Sequence, residues 1–362
     1  MLCSNGSRAL TQRTSEAGTG CPVRTTLSHR MHEVTPRHNR EPTPLSGRPR
    51  LRIAVLAATA VGSVAIAGSD AVARSPNAPP SRPSAKIAFA YFVSGQHASI
   101  HTITPSGAHL ALLIGQASVD ITEPVWSPDG RRLAFAQMTE DNVGGIFVAN
   151  AIGRRPIRLT RVQSDPRNPV LDAHPRWSAD GRRIVFHRYR TTGSTVYVVN
   201  AKGGGLRSLG DGYDPSWSPD GKRIALAAKP PDSDTFNIYV MRPDGRNRTR
   251  LTTNPEGDSN PEWSPDGKLI AFDGTAQRDS DIYLVRADGT SRRRLTTTSG
   301  ADVDATWSPD GKRIVFASRR VGGQFDLYIM KTDGSQQTRL TQLPGEEAQP
   351  SWQRRPPRNS RG

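Results

Sequence analysis

The chain has 362 residues, with 49 Lys+Arg against 33 Asp+Glu, a formal net charge of +16 and a pI of about 10.6. Cys3 and Cys21 are the two cysteines, which excludes a disulfide framework and a Cys-based zinc site downstream of them. A basic chain invites a nucleic-acid reading, but residues 84–352 hold 34 basic and 29 acidic side chains, so most of the excess lies at the two ends.

In chain order, residues 1–52 show no hydrophobic periodicity and are rich in Arg, Thr, Ser and Pro. They read as a disordered leader, with Met31 as an alternative start. Ile53 to Gly68 carries no charge, follows Arg48, Arg50 and Arg52, and precedes Ala71-Val72-Ala73. A basic flank, a short apolar run and a small-x-small site are the anatomy of a secretory signal, so 53–73 is read as a signal peptide with its cleavage site. An uncleaved anchor over 53–68 is the alternative, although a span needs about 20 apolar residues. Residues 74–84 read as an extended linker, and 353–362 as a basic disordered tail.

Residues 85–352 contain a repeat. Trp126, Trp177, Trp217, Trp263, Trp307 and Trp352 recur at intervals of 40 to 51 residues, and the first five open Trp-Ser-Pro-Asp-Gly, with Ala179 in place of Pro once. A basic residue and a short apolar strand follow each Gly, as in Arg183-Ile184-Val185-Phe186. A second strand comes next, as in Asp281-Ile282-Tyr283-Leu284-Val285. Then comes an Asp-Gly turn, as at Asp288-Gly289, and a closing Leu-Thr, as at Leu295-Thr296. Pro presets φ, Asp bonds its own backbone and Gly takes the positive φ, which makes a tight hairpin. Four short strands at a period near 45 predict a β-propeller blade. Residues 86–114 lack an opening Trp strand, and the C-terminal Trp352 strand lacks followers, so pairing the two completes a sixth blade. The expectation is an all-β, six-bladed propeller of four-stranded blades, with the tryptophans packed between blades.

The five Trp-Ser-x-Asp-Gly copies resemble the TolB-type, WD40-like β-propeller family over nearly the whole of 85–352. The resemblance implies the propeller fold. TolB itself has a small α/β domain before its propeller, and here 74–84 is read as a linker only, so the resemblance covers the propeller alone.

The turns between the repeated hairpins carry the candidate site. Each connection leading into an opening Trp strand brings carboxylates to one mouth of the channel: Glu123, Asp172 beside His174, Asp214, Asp258, Asp302 with Asp304, and Glu346. Such a ring could focus field on a cation or a basic peptide, or its members could cap turns and pair with Arg161 and Arg176. No nucleophile elbow, zinc-binding His pair or phosphate loop is present in the propeller sequence, and the Arg runs near 246–250 and 292–294 read as charged edge strands rather than a nucleic-acid surface. The expectation is therefore an exported, monomeric, non-enzymatic scaffold that needs no cofactor and binds a protein or cell-envelope component at the acidic mouth. The alternative is a metal-dependent propeller enzyme acting on a saccharide, with His174 helping to hold a divalent cation at the mouth.

Overall fold

In the computed structural model the described residues are 85–139, 144–162, 170–276 and 279–354. The leader, signal and linker readings over 1–84 and most of the tail lie outside them. Among the described residues the secondary structure is all β, and no helix is long and apolar enough to cross a membrane. Six antiparallel four-stranded sheets form a propeller. In the first blade, Glu346–Trp352 pairs with Ile87–Phe92, with Trp352 opposite Ile87 and Glu347 opposite Tyr91. The other innermost strands are Val119–Trp126, Leu171–Trp177, Tyr213–Trp217, Asp258–Trp263 and Asp302–Trp307.

Each piece of the repeat does identifiable local work. In the first hairpin turn the Ser127 hydroxyl accepts from the Arg132 N–H at 2.9 Å, Asp129 accepts from the Arg131 N–H at 3.1 Å, and Gly130 takes φ +67. The same contacts recur around Ser178, Ser218 and Ser308, and Ala179 leaves them intact. The closing threonine caps the third strand: the N–H groups of Ile146, Ile238, Ile282 and Leu327 donate to Thr160, Thr252, Thr296 and Thr341 Oγ1 at 2.8–3.0 Å.

The core lies between blades. Each tryptophan is 4–7% exposed and packs with the apolar strands of the preceding blade, as Trp177 does with Ile146 and Val148. The basic residue after the turn glycine covers the next tryptophan: Arg132 lies 4.5 Å over Trp177, Arg183 5.0 Å over Trp217, Arg223 4.5 Å over Trp263 and Arg313 5.1 Å over Trp352. The fifth blade has Leu269 at this place, packed into the cluster of Trp307. These four cation–π contacts each tie a blade to its neighbour.

Antiparallel order fixes two faces. The Ser-x-Asp-Gly turns and the turns between third and outer strands share one end of the channel axis, the turn face. The remaining connections share the other end, the loop face.

Candidate binding mouth on the loop face

Three residues before each tryptophan, the innermost strand breaks its ladder in a β-bulge. The residue there is Glu123, His174, Asp214, Asn260, Asp304 or Gln349, and all six have φ between 49° and 59°. Left-handed backbone costs about 1–2 kcal/mol for a residue with a Cβ, and five of the six also precede a proline, which disfavours helical backbone. The conformation persists because the neighbouring blade completes it.

The Glu123 N–H donates to Gln349 Oε1 at 3.0 Å, the His174 N–H to Glu123 Oε2 at 2.6 Å, and the Gln349 N–H to Asp304 Oδ2 at 3.0 Å. At two positions the acceptor comes instead from the second strand. The Asp214 N–H donates to His187 Nδ1 at 3.1 Å, and the Asp304 N–H to Asp273 Oδ2 at 3.2 Å. The result is a belt of polar side chains around the channel, with these five bonds each tying one blade to a neighbour. His187 and Asp273 occupy the place held by Ala136, Ala227 and Ala317 in other blades. Sequence reading missed them, although a polar residue after the strand phenylalanine or leucine was the available signal.

The belt has its own electrostatics. The His174 Nε2 lies 3.1 Å from Glu123 Oε1 and its Nδ1 3.4 Å from Asp214 Oδ1. Burial pulls its pKa down, but the carboxylates of Glu123 and Asp214 outweigh burial and the net shift is upward. The ring stacks on His187 at 5.1 Å. Burial and the charge of His174 push His187 down to about 4, so it stays neutral and can accept the Asp214 N–H. Across the channel, burial and then Asp304 hold Asp273 well above the carboxylate range. Both carboxylates accept from the single Asn260 amide, at 3.1 and 2.6 Å. Burial raises Asp304 as well, opposed by the charges of His174 and Arg176 that it faces.

Below the belt, Arg176 reaches across the channel to Glu262 at 3.2 Å, and Ser216 donates to the same carboxylate at 3.3 Å. The cavity in the channel is about 190 Å³.

The expected mouth residues divide into two groups. Glu123, His174 and Asp304 line the channel, Asp214 holds the equivalent bulge position beside His174, and Glu346, partly buried, sits by the loops with Arg319 at 3.2 Å. Asp172, Asp258 and Asp302 do not join them. The bulge shifts the strand's phase, so a residue five before the tryptophan shares the interblade face with it. There they are at most 2% exposed and meet Arg188 at 2.6 Å, Arg292 at 3.2 Å and Arg320 at 2.8 Å. Those arginines lie over Tyr197, Tyr283 and Tyr328. The loop face also exposes Asp211, Asp232, Asp234 and Asp279.

With this geometry in hand, comparison with known proteins is informative. The family model described as the Tricorn protease N-terminal beta propeller domain matches residues 233–325. The Tol-Pal system protein TolB of Francisella tularensis subsp. mediasiatica (strain FSC147) is 40% identical over 91 residues, 24% of this chain and 20% of that protein. TolB from Acinetobacter baumannii superposes with a TM-score of 0.65 at 21% identity, covering 74% of this chain and 66% of that one. The ring is a six-bladed propeller similar to that of TolB. The aligned segment spans only a fifth of the length of the curated TolB relatives. The same fold also carries enzymes: oligogalacturonate lyase in complex with manganese superposes with a TM-score of 0.50 at 16% identity, over 70% of this chain and 73% of that one. Among the described residues there is no group of three or more His, Cys, Asp or Glu arranged to hold a metal ion.

Proposed function

We propose that this TolB-type propeller is an exported, monomeric, non-enzymatic binding module whose loop face docks a cationic protein segment of the cell envelope. The observation that carries the reading is a group of carboxylates there: exposed Asp211, Asp232, Asp234 and Asp279 on the loop side of the third, fourth and fifth blades, with Asp234 3.6 Å from Lys229, beside the belt residues Glu123, Asp214 and Asp304. Loops on a rigid scaffold are the usual place for recognition, and an excess of one sign raises the local concentration of the opposite charge. The channel cavity of about 190 Å³ falls below the roughly 300 Å³ at which small-molecule sites begin. The partner therefore lies across the mouth rather than inside the channel. The TolB relatives, named as parts of the Tol-Pal system, support a binding role of this kind.

A metal-dependent reaction on a saccharide draws less support. The ligand it would need, His174, has both ring nitrogens turned to carboxylates and is biased toward the protonated form, which cannot ligate a metal.

The test uses the full chain and a fluorescent oligolysine peptide as probe. Replacing Asp211, Asp232, Asp234 and Asp279 together with Asn is expected to weaken binding at least tenfold at low salt and flatten its salt dependence. Unchanged affinity and salt slope would reject the loop face as the site.

A further inference from the structure

The turn face carries the opposite sign from the loop face, and its charge is built into the repeat. The turns of the second, third, fourth and sixth blades each present one aspartate but two cations: Arg131-Arg132, Arg182-Arg183, Lys222-Arg223 and Lys312-Arg313. In each pair the second residue turns inward over a tryptophan. The first is exposed, and with Lys268 these form a ring: Arg131, Arg182, Lys222, Lys268 and Lys312. The matching aspartates point back into their own turns, where each accepts a serine hydroxyl and a backbone N–H. An outer ring on the same face exposes Arg154, Lys202, Arg246, Arg286 and Lys331, and the second and third blades contribute no carboxylate to it.

Both ends of the propeller open on this face. The pairing of Trp352 with Ile87 brings the entering chain at Ala85 and the departing chain at Arg354 to the turn end of the channel. The residues that enter there follow the uncharged run 53–68, and those that leave carry Arg355, Arg358 and Arg361. The face is formed of short, similar turns, so its cations stand at similar height around a disc.

We infer that the turn face is a docking surface for an anionic phospholipid bilayer, which it meets with two concentric rings of Lys and Arg. A second copy meeting this face with its own turn face is disfavoured, because two such faces would oppose like charges. A bilayer fits the repeated geometry, since it needs many cations at one height rather than a shaped pocket, and each Lys or Arg near an anionic leaflet adds attraction that falls off within a Debye length. The inference concerns the face opposite the proposed protein-binding mouth and does not depend on that reading.

Co-sedimentation of the full chain with vesicles tests it, using phosphatidylcholine alone and phosphatidylcholine with about one third phosphatidylglycerol, a fraction chosen to give a clearly negative surface potential. Binding is expected to be at least tenfold stronger to the anionic vesicles and to weaken as salt is raised. Replacing Arg131, Arg182, Lys222, Lys268 and Lys312 with Gln is expected to remove most of that difference. The segment 53–68 is common to both proteins and cannot account for a change. Should the fivefold variant fold poorly, the same substitution of Arg154, Lys202, Arg246, Arg286 and Lys331 gives an independent reading. Equal binding to neutral and anionic vesicles, or a folded variant that binds as the parent does, would overturn the inference.

Discussion

The two faces of the propeller are made from the same repeat and differ in almost everything else. On the turn face the chain writes nearly the same turn five times, with the same serine, aspartate and glycine contacts, and the cations point outward. On the loop face each blade solves its geometry differently. The acceptor for the strained belt backbone is a glutamine, a glutamate, a histidine or an aspartate, supplied from the innermost strand in some blades and from the second strand in others. The lesson is that acidity on the loop face has two layers. One ties the ring together; the other, farther out, is exposed.

This division makes substitutions separable. The largest effect is expected at Asp172→Ala, which leaves Arg188 buried without its partner. Loss of one member of a buried pair costs about 3–5 kcal/mol, against about 1 kcal/mol for Asp129→Ala in an exposed turn. Urea unfolding measures both, and similar costs would contradict the assignment of Asp172 to a buried ion pair and Asp129 to a solvated turn. Next in size is Glu123→Ala, which orphans the His174 N–H and should cost about 1–3 kcal/mol. Glu123→Gln is expected to recover much of that loss, because Gln349 shows that an amide oxygen can fill this place.

The smallest effect has the opposite sign. Glu347 lies opposite Tyr91, where Asp172 has Arg188, and its carboxyl is fully buried with Thr341 as a donor. Burial pushes it up to about 7, opposed by the Thr341 hydrogen bond. Its folded value lies above its unfolded one, so its favourable contribution is complete below the ordinary glutamate range and declines as pH rises to about 7. Glu347→Gln is therefore expected to raise the melting temperature at pH 8 and to leave it unchanged near pH 4. A loss at pH 8 would show that the buried charge is compensated.

The propeller was legible because its signals are local. Trp-Ser-x-Asp-Gly and Asp-Gly satisfy hydrogen bonds within a few residues and Leu-Thr within its own blade, 14 residues away, so recurrence in sequence is recurrence in structure. The belt was only half legible, because its bonds run between blades: the acceptor for Glu123 is Gln349, in the adjacent blade but 226 residues away in sequence. Asp172, Asp258 and Asp302 were expected at the mouth with Asp304 because all were read as part of the connections leading into the Trp strands. They fall instead within those strands, ahead of a bulge that turns them to the interblade face, and only the register shows it. His187 and Asp273 were passed over as strand residues, since their role depends on a backbone group in the next blade.

The central claim, that the acidic loop face is where a protein partner docks, is tested most directly by zero-length carbodiimide cross-linking of the full chain in envelope extract, followed by mass-spectrometric mapping. The account predicts bonds from partner lysines to Asp211, Asp232, Asp234 or Asp279, and none to the turn carboxylates Asp244, Asp288 and Asp333. Cross-links confined to those turn carboxylates would contradict it.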